Sequence, residues 1–404
     1  MADLSIHKKF IHFLLYCVII INVNDDIRKE IQMKFSINIP VRIISGRDCI
    51  KANASQLILG KKAYIVTGSA GAASSGALGD VIAALTEKGV TYETYSSVPA
   101  NPPLMGACEA GIKAREFGAD FVIGIGGGSA MDAAKAIAAF AANPDIAAED
   151  VFDTSKLTAG ALPIALIPTT AGTGSEANPY SVLSLPDGKR KKTYNSPYAW
   201  AKVAFLDPKY TESMSYSGTV STALDAFAHA LESYLSPKAD ALSTMLAEYA
   251  AKNIWDVLTQ MPDEFTEEHR DMLCYASCAA GAAISITGTG FPHPLGYSLT
   301  MLADIPHGRA CAVFHGDYIE YNMKTERGAE KLNALAAALG TKPKLMAEFL
   351  PGLADVDITL TEDEIKTYVD LIKGAKNYTN SPYVLNEDEM LDIYKKHFAK
   401  KRGK

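Results

Sequence analysis

Asp225 and His229 stand four residues apart, and His293 and His307 fourteen apart, all in the second half of a 404-residue chain with only eight histidines. On a helix, positions i and i+4 leave one face a single turn apart, which is what two ligands of one metal need. His293 lies in Gly290-Phe291-Pro292-His293-Pro294-Leu295-Gly296 and His307 in Ile305-Pro306-His307-Gly308, where prolines and glycines fix the backbone. A lone histidine among apolar residues more often serves packing than ligation, but three of them with a carboxylate shift that balance. One carboxylate and three imidazoles suit Fe(II) or Zn(II), with a position left for a substrate oxygen. Without an ion, such groups in apolar surroundings carry a desolvation cost.

A second chemistry is written in the first half. Gly124-Ile125-Gly126-Gly127-Gly128-Ser129 stands where a buried strand meets a helix. Glycines there let the backbone approach a ligand, and the free N–H groups and dipole of the helix start favour an anion such as pyrophosphate. The run is neither a G-x-G-x-x-G fingerprint nor a P-loop, and a tight turn without a ligand is the competing reading. Pro168-Thr169-Thr170-Ala171-Gly172-Thr173-Gly174-Ser175-Glu176 follows another buried strand and adds hydroxyls and backbone donors at the same sheet edge. Two such loops favour a dinucleotide over a lone phosphate. Lys191 follows on a hairpin-like stretch, placed either to reach a ribose hydroxyl or to sit on a solvated turn.

These residues need two kinds of scaffold. From residue 60 to 210 the pattern alternates strand, glycine-rich turn and helix: strands at Ala63–Thr67, Val90–Tyr95, Phe121–Ile125 and Leu162–Ile167, helices at Gly76–Lys88, Leu104–Phe117 and Ala130–Ala142. That alternation predicts an α/β domain with a parallel sheet and ligand sites at the carboxyl ends of its strands. After Asp207-Pro208 the strand runs end, and Thr219–Leu235, Ala239–Met261, Arg270–Ile286 and Ala329–Leu339 have helical spacing, so the second domain is expected to be all-helical. The expected division is 33–207 for the dinucleotide-binding domain and 208–404 for the metal-binding one, with the substrate in the cleft between them. Residues 1–32 are expected to be an extension outside either domain. Their apolar Phe10–Val23 is 14 residues long, short of the roughly 20 that span a bilayer, and Met33 opens a first strand in MKFSINIPVRIISG.

Charge and cysteines narrow the partners. A net charge of -7 and a pI near 5.7, with basic clusters only at Lys189–Lys192 and in the C-terminal tail, argue against a nucleic-acid reader; both clusters read as solvated. Six cysteines, Cys17, Cys49, Cys108, Cys274, Cys278 and Cys311, form no C-x-x-C pair, which points to free thiols in a reducing compartment, with Cys274 and Cys278 in the core. No membrane partner and a cytoplasmic location are expected.

Val98-Pro99-Ala100-Asn101-Pro102, Gly126 to Ser129 followed by Asp132 and Lys135, Pro168 to Glu176, Asp225-Ala226-Phe227-Ala228-His229-Ala230-Leu231-Glu232, and His293 with His307 closely resemble the iron-containing (group III) alcohol dehydrogenases, in family order and spacing from about residue 34 to 398. The resemblance, closest to butanol dehydrogenases, implies Asp225, His229, His293 and His307 as ligands of Fe(II), with Zn(II) as the alternative. It implies a dinucleotide on Gly126, Gly127, Gly128 and Ser129, with Gly68, Ser69, Asn101, Asp132, Thr169, Thr170, Thr173, Asn178 and Lys191 around it. It further implies a homodimer and hydride transfer between NAD(P)H and a small primary alcohol or aldehyde. Two departures stand out. Tyr297 occupies the position where many members carry a proton-relay histidine, so its hydroxyl becomes the relay candidate beside water and a ribose hydroxyl. Gly68 replaces the aspartate common in NAD-preferring members, which favours NADP, with Ser69, Ser74 or Ser75 near its phosphate. Tyr180, Phe291 and Tyr297 are expected to line a pocket for a small aliphatic substrate. Glycerol dehydrogenases, maleylacetate reductases and dehydroquinate synthases share the fold; the D-x-x-x-H pair with H-x13-H favours the alcohol dehydrogenases over them, and over a non-catalytic dinucleotide sensor.

Overall fold

Short runs of β-branched and apolar residues pair into a six-stranded parallel sheet in the order β1 (Arg42–Ser45), β8 (Val203–Leu206), β5 (Ile164–Pro168), β4 (Phe121–Gly126), β2 (Lys62–Gly68), β3 (Thr91–Val98). The computed structural model describes residues 35, 37–68 and 70–400. β4 and β5 are buried along their whole length, as central strands covered on both faces must be. The helices α1 (Ala77–Glu87), α2 (Leu104–Phe117) and α3 (Gly128–Ala142) make the crossovers, and β6 (Tyr180–Ser184) and β7 (Lys191–Asn195) form a separate antiparallel hairpin. In register, Gly126 of β4 stands beside Pro168 of β5, so the two candidate phosphate loops leave the sheet side by side.

Beyond Leu206 the described residues contain helices and no further strand. They are α4 (Tyr216–Leu235), α5 (Ala241–Gln260), α6 (Glu267–Thr287), α7 (Pro292–Leu302), α8 (His307–Ala312), α9 (His315–Asn322), α10 (Glu326–Ala338), α11 (Pro343–Gly352), α12 (Glu362–Ile372) and α13 (Glu387–Phe398). Local chemistry marks the starts: Ser215 accepts from Gly218 N–H, and Asp240–Ser243 and Thr361–Glu364 are reciprocal capping boxes. One apolar cluster from Leu206 to Phe398 fills this half, and Cys274 and Cys278 lie in it. No single helix among the described residues is long and apolar enough to cross a membrane; α6 and α7 reach that composition only as a pair bent by 113°.

One expectation changes. The first strand begins at Arg42, since Ile37–Val41 is irregular around Pro40, whose ring removes a ladder donor. The extension 1–32, with Phe10–Val23, and Ser69 fall outside the described residues. The halves meet where Gly174, at φ +55°, lies against α6: a Cβ at Gly281 would stand 2.2 Å from the Gly174 carbonyl oxygen. Gly281→Ala is therefore expected to lower stability by about 1–3 kcal/mol, read as a fall in the urea midpoint; an unchanged midpoint would show that the contact yields freely.

Candidate active site

Asp225 and His229 project from the fully buried middle of α4. Pro292, at the first position of α7 where a missing N–H costs nothing, sets His293 in the first turn, and Pro306 precedes His307 at the start of α8. Gly308 lets α8 settle on α4, because a Cβ there would lie 1.8 Å from the Ser221 carbonyl oxygen and 3.0 Å from Asp225 Cβ. The outcome is convergence: Nε2 of His229, His293 and His307 stand 3.9, 3.7 and 3.9 Å from Asp225 Oδ1.

Those separations are too long for hydrogen bonds and too short for indifference. Asp225 Oδ1 and His293 Nε2 are buried with no hydrogen-bond partner, a state that costs about 1–3 kcal/mol per group. Donors held about 2.1 Å from one tetrahedral ion stand about 3.4 Å apart, so the donor set and its spacing fit a transition-metal ion. Burial drives His229 to a pKa of about 4 and His307 to about 3, which keeps both imidazoles neutral and their lone pairs free. Burial opposes the charge on Asp225, but the three histidines and Lys191 outweigh it and hold its pKa below the ordinary value.

His293 has a partner that the residue spacing did not single out. Glu232, wholly buried, receives His293 Nδ1 at 2.8 Å and the Gly290 N–H at 2.5 Å. Protonating Nδ1 toward a carboxylate leaves Nε2 bare and aimed at the ligand cluster. Burial opposes a charge on His293, yet Glu232 raises its pKa above the ordinary histidine value. The signal was present as a third i, i+4, i+7 position on α4, after Asp225 and His229.

The same cavity, about 1730 Å³, is walled by Asn101, Gly127, Gly128, Ser129, Asp132, Thr170, Thr173, Asn178, Lys191, Tyr297 and all four ligand candidates. Glycines at 127 and 128 are required by closeness: a Cβ at Gly128 would stand 2.5 Å from Thr173 Cγ2, and one at Gly127 3.2 Å from Thr170. Asn101 holds a left-handed backbone, φ 55°, and donates its N–H to Ser129 Oγ. Thr169 and Gly126 lie behind this wall, joined by the Thr169 N–H to Gly126 carbonyl bond at 2.9 Å. Gly68, at the end of β2, is also off the wall; an added Cβ would meet only the Val98 carbonyl oxygen, at 3.5 Å. Ser75 turns its hydroxyl inward to the Ala72 carbonyl, and Ser74 caps Gly71 from the exposed side.

Asp132 and Lys135 are engaged within the protein. Asp132 accepts from Ser175 Oγ at 2.7 Å and Val182 N–H at 2.9 Å, while fully buried Lys135 donates to Ser175, Asn178 and Tyr180. Burial pushes Lys135 down to about 8 against the pull of Asp132. Together they staple α3 to the segment that carries Thr173, Asn178 and Tyr180. The lysine cluster at 189–192, expected to be solvated, edges the cavity, with Lys191 turned in over the Tyr297 ring at 5.6 Å. Tyr297 lies near-parallel to His307, 5.8 Å between centroids, and burial raises its pKa well above the usual tyrosine value, so its hydroxyl is protonated. Tyr180 lines the cavity as expected. Phe291 does not: it is wholly buried, edge-on to Tyr318 at 4.8 Å, as part of the helical core.

Residues 40–208 match the family described as Iron-containing alcohol dehydrogenase, and residues 219–398 match the Fe-containing alcohol dehydrogenase family, C-terminal. The NADPH-dependent butanol dehydrogenase of Clostridium saccharobutylicum is 30% identical over 370 residues, 85% of this chain and 94% of that one. The sulfoacetaldehyde reductase of Bilophila wadsworthia is 34% identical over 282 residues, 68% of this chain and 72% of that one. An iron-containing alcohol dehydrogenase structure from Thermotoga maritima superposes with a TM-score of 0.84 at 34% identity, covering 90% of this chain and 99% of that one.

Glu232→Gln keeps the shape of the side chain but removes the charge behind His293. Its metal affinity, measured by competition with a chelator, is expected to fall about 10- to 100-fold; native affinity would reduce Glu232 to a packing residue.

Proposed function

The chain belongs to the iron-containing alcohol dehydrogenase family and is an NAD(P)-linked alcohol dehydrogenase, and we propose that it interconverts small primary alcohols and aldehydes at the cavity shared by its two halves. The observation that carries this is the convergence of three imidazole nitrogens on Asp225 Oδ1, at 3.7–3.9 Å, in the same cavity wall as the glycine-rich strand ends. Asp225, His229, His293 and His307 would hold the ion, Fe(II) in our reading with Zn(II) as the alternative. When bound, it supplies Lewis acidity to a substrate oxygen.

The chain's own residues do the rest. The N–H groups at Gly127–Ser129 and the hydroxyls of Thr170 and Thr173 cradle the cofactor phosphates at a helix start. Lys191 and Asn178 stand on the same cavity wall, where Lys191 would face the remainder of the dinucleotide while the Asn178 amide stays bonded to Gly174 and Tyr180. Tyr180, Ile284 and Ile286 keep water from the hydride path and suit a short aliphatic chain, in line with the butanol dehydrogenase relative. When bound, the nicotinamide would supply the hydride for a carbonyl carbon, and the cavity residues would have to deliver a proton to the oxygen. Tyr297, protonated and in the cavity wall, is placed to donate toward that proton path. The domain division at 207/208, a homodimer and a cytoplasmic location complete the proposal, with five free described cysteines supporting a reducing compartment.

NADP is the preferred cofactor in this reading, because no carboxylate at residue 68 repels a 2'-phosphate and the backbone there accommodates a side chain. Purified protein supplied with ferrous or zinc ion should oxidise NADPH with butanal, and His293→Ala should lose both the metal and turnover. Turnover by a metal-depleted protein would sink the assignment. Gly68→Asp should shift the NADPH-to-NADH ratio of kcat/KM toward NADH by about tenfold or more; an unmoved ratio would place cofactor choice elsewhere.

A further inference from the structure

We propose that Cys311 is a further donor to the metal held by Asp225, His229, His293 and His307, and that it raises the site's affinity for zinc relative to that for ferrous ion, the ion of our reading. The inference rests on the ligand reading above. Cys311 follows His307 by four residues on α8, so both side chains leave the same helical face. Its Sγ lies 3.8 Å from His307 Nε2, and one donor atom each from Asp225, His293, His307 and Cys311 falls within 4.8 Å of the others. The thiol is fully buried and forms no disulfide.

The surroundings distinguish this sulfur from the chain's core cysteines. Cys274 and Cys278 pack in the helical core near Glu176, whereas Cys311 shares a donor cluster with Asp225, His293 and His307. On α7 a Cβ at Gly296 would come within 3.1 Å of the Ala310–Cys311 backbone as well as of Cys311 Sγ, so glycine lets α7 and α8 approach closely at this sulfur. Independently, Asp225 Oδ1 and His293 Nε2, on residues 4% and 3% exposed, point into the same space without a partner.

Bond lengths of about 2.3 Å to sulfur and 2.1 Å to nitrogen put the two donors of a tetrahedral pair about 3.6 Å apart, close to the 3.8 Å seen for Cys311 and His307. Zinc, though usually four-coordinate, sometimes expands to five ligands. On ligation the S–H bond breaks, its proton leaves to water in the cleft, and a sulfur lone pair forms the bond to the ion; nothing is oxidised or reduced. A soft donor added to an N/O set strengthens binding of Zn(II) and Co(II) more than of Fe(II).

Cobalt(II) reports the bond directly. The full-length native protein loaded with Co(II) is expected to show a near-ultraviolet sulfur-to-cobalt charge-transfer band that Cys311→Ala and Cys311→Ser lose while keeping the visible bands of bound cobalt. Loaded anaerobically from an equal mixture of zinc and ferrous ion, the variants should retain a zinc-to-iron ratio lower than native by about tenfold or more. Native cobalt protein with visible bands but no charge-transfer band overturns the role of Cys311 alone, as does an unchanged ratio in the variants. Native protein that takes up no cobalt, zinc or iron overturns the four-ligand reading together with it.

Discussion

A buried carboxylate ringed by imidazoles is unstable company for itself, and the helical half is organised around that fact. Asp225 Oδ1 and His293 Nε2 are buried there with no hydrogen-bond partner among the described residues. The cost is tolerable only if a cation completes the group. Each approach that brings the donors together has its own enabling residue: Pro292 and Pro306 start the helices that present His293 and His307, Gly308 lets α8 touch α4, and Glu232 turns His293. Removing any one of them loosens an array in which Asp225 Oδ1 and His293 Nε2 have no hydrogen bond without the ion.

The sheet half answers to a different constraint, backbone approach. Strand ends at Gly126 and Pro168 share a register, and their loops touch through Gly127–Thr170 and Gly128–Thr173. That floor is held by an ion pair with Asp132 in the cavity wall and Lys135 buried behind it, since both spend polar atoms on the segment from Ser175 to Val182. Burying a lysine completely is expensive, and four acceptors offset the cost here. The cofactor surface is thus backed by charge rather than by packing alone.

Periodicity and punctuation carried much of this in the sequence. The i, i+4 pair on α4 needed only a helix to become a half-site, and alternation with glycine-rich turns announced a parallel sheet, because both depend on near neighbours in the chain. What stayed hidden depended on distant ones. Glu232 and Cys311 acquire meaning only when α7 and α8 fold back onto α4, and Asp132, readable as a cofactor contact, is claimed by Ser175 and Val182 some fifty residues on. Phe291 was misplaced for the same reason: its motif neighbours face the cavity while its own ring turns into the core against Tyr318. The first strand starts late because Pro40 interrupts a run whose composition otherwise suits a strand.

The contact between Gly174 and Gly281 has a mechanical meaning. The loop that bears Thr170 and Thr173 belongs by sequence to the sheet, yet it is seated backbone to backbone on α6, with no side chain between to act as a cushion. A loop held this way cannot slide along its helix, so it behaves as a fixed bracket on the helical half. The spacing between that loop and α6 is then set like a gauge block, by the thickness of two peptide chains. Flexing at this point would have to separate two backbones in direct contact, so the cleft is stiffest where Gly174 meets Gly281.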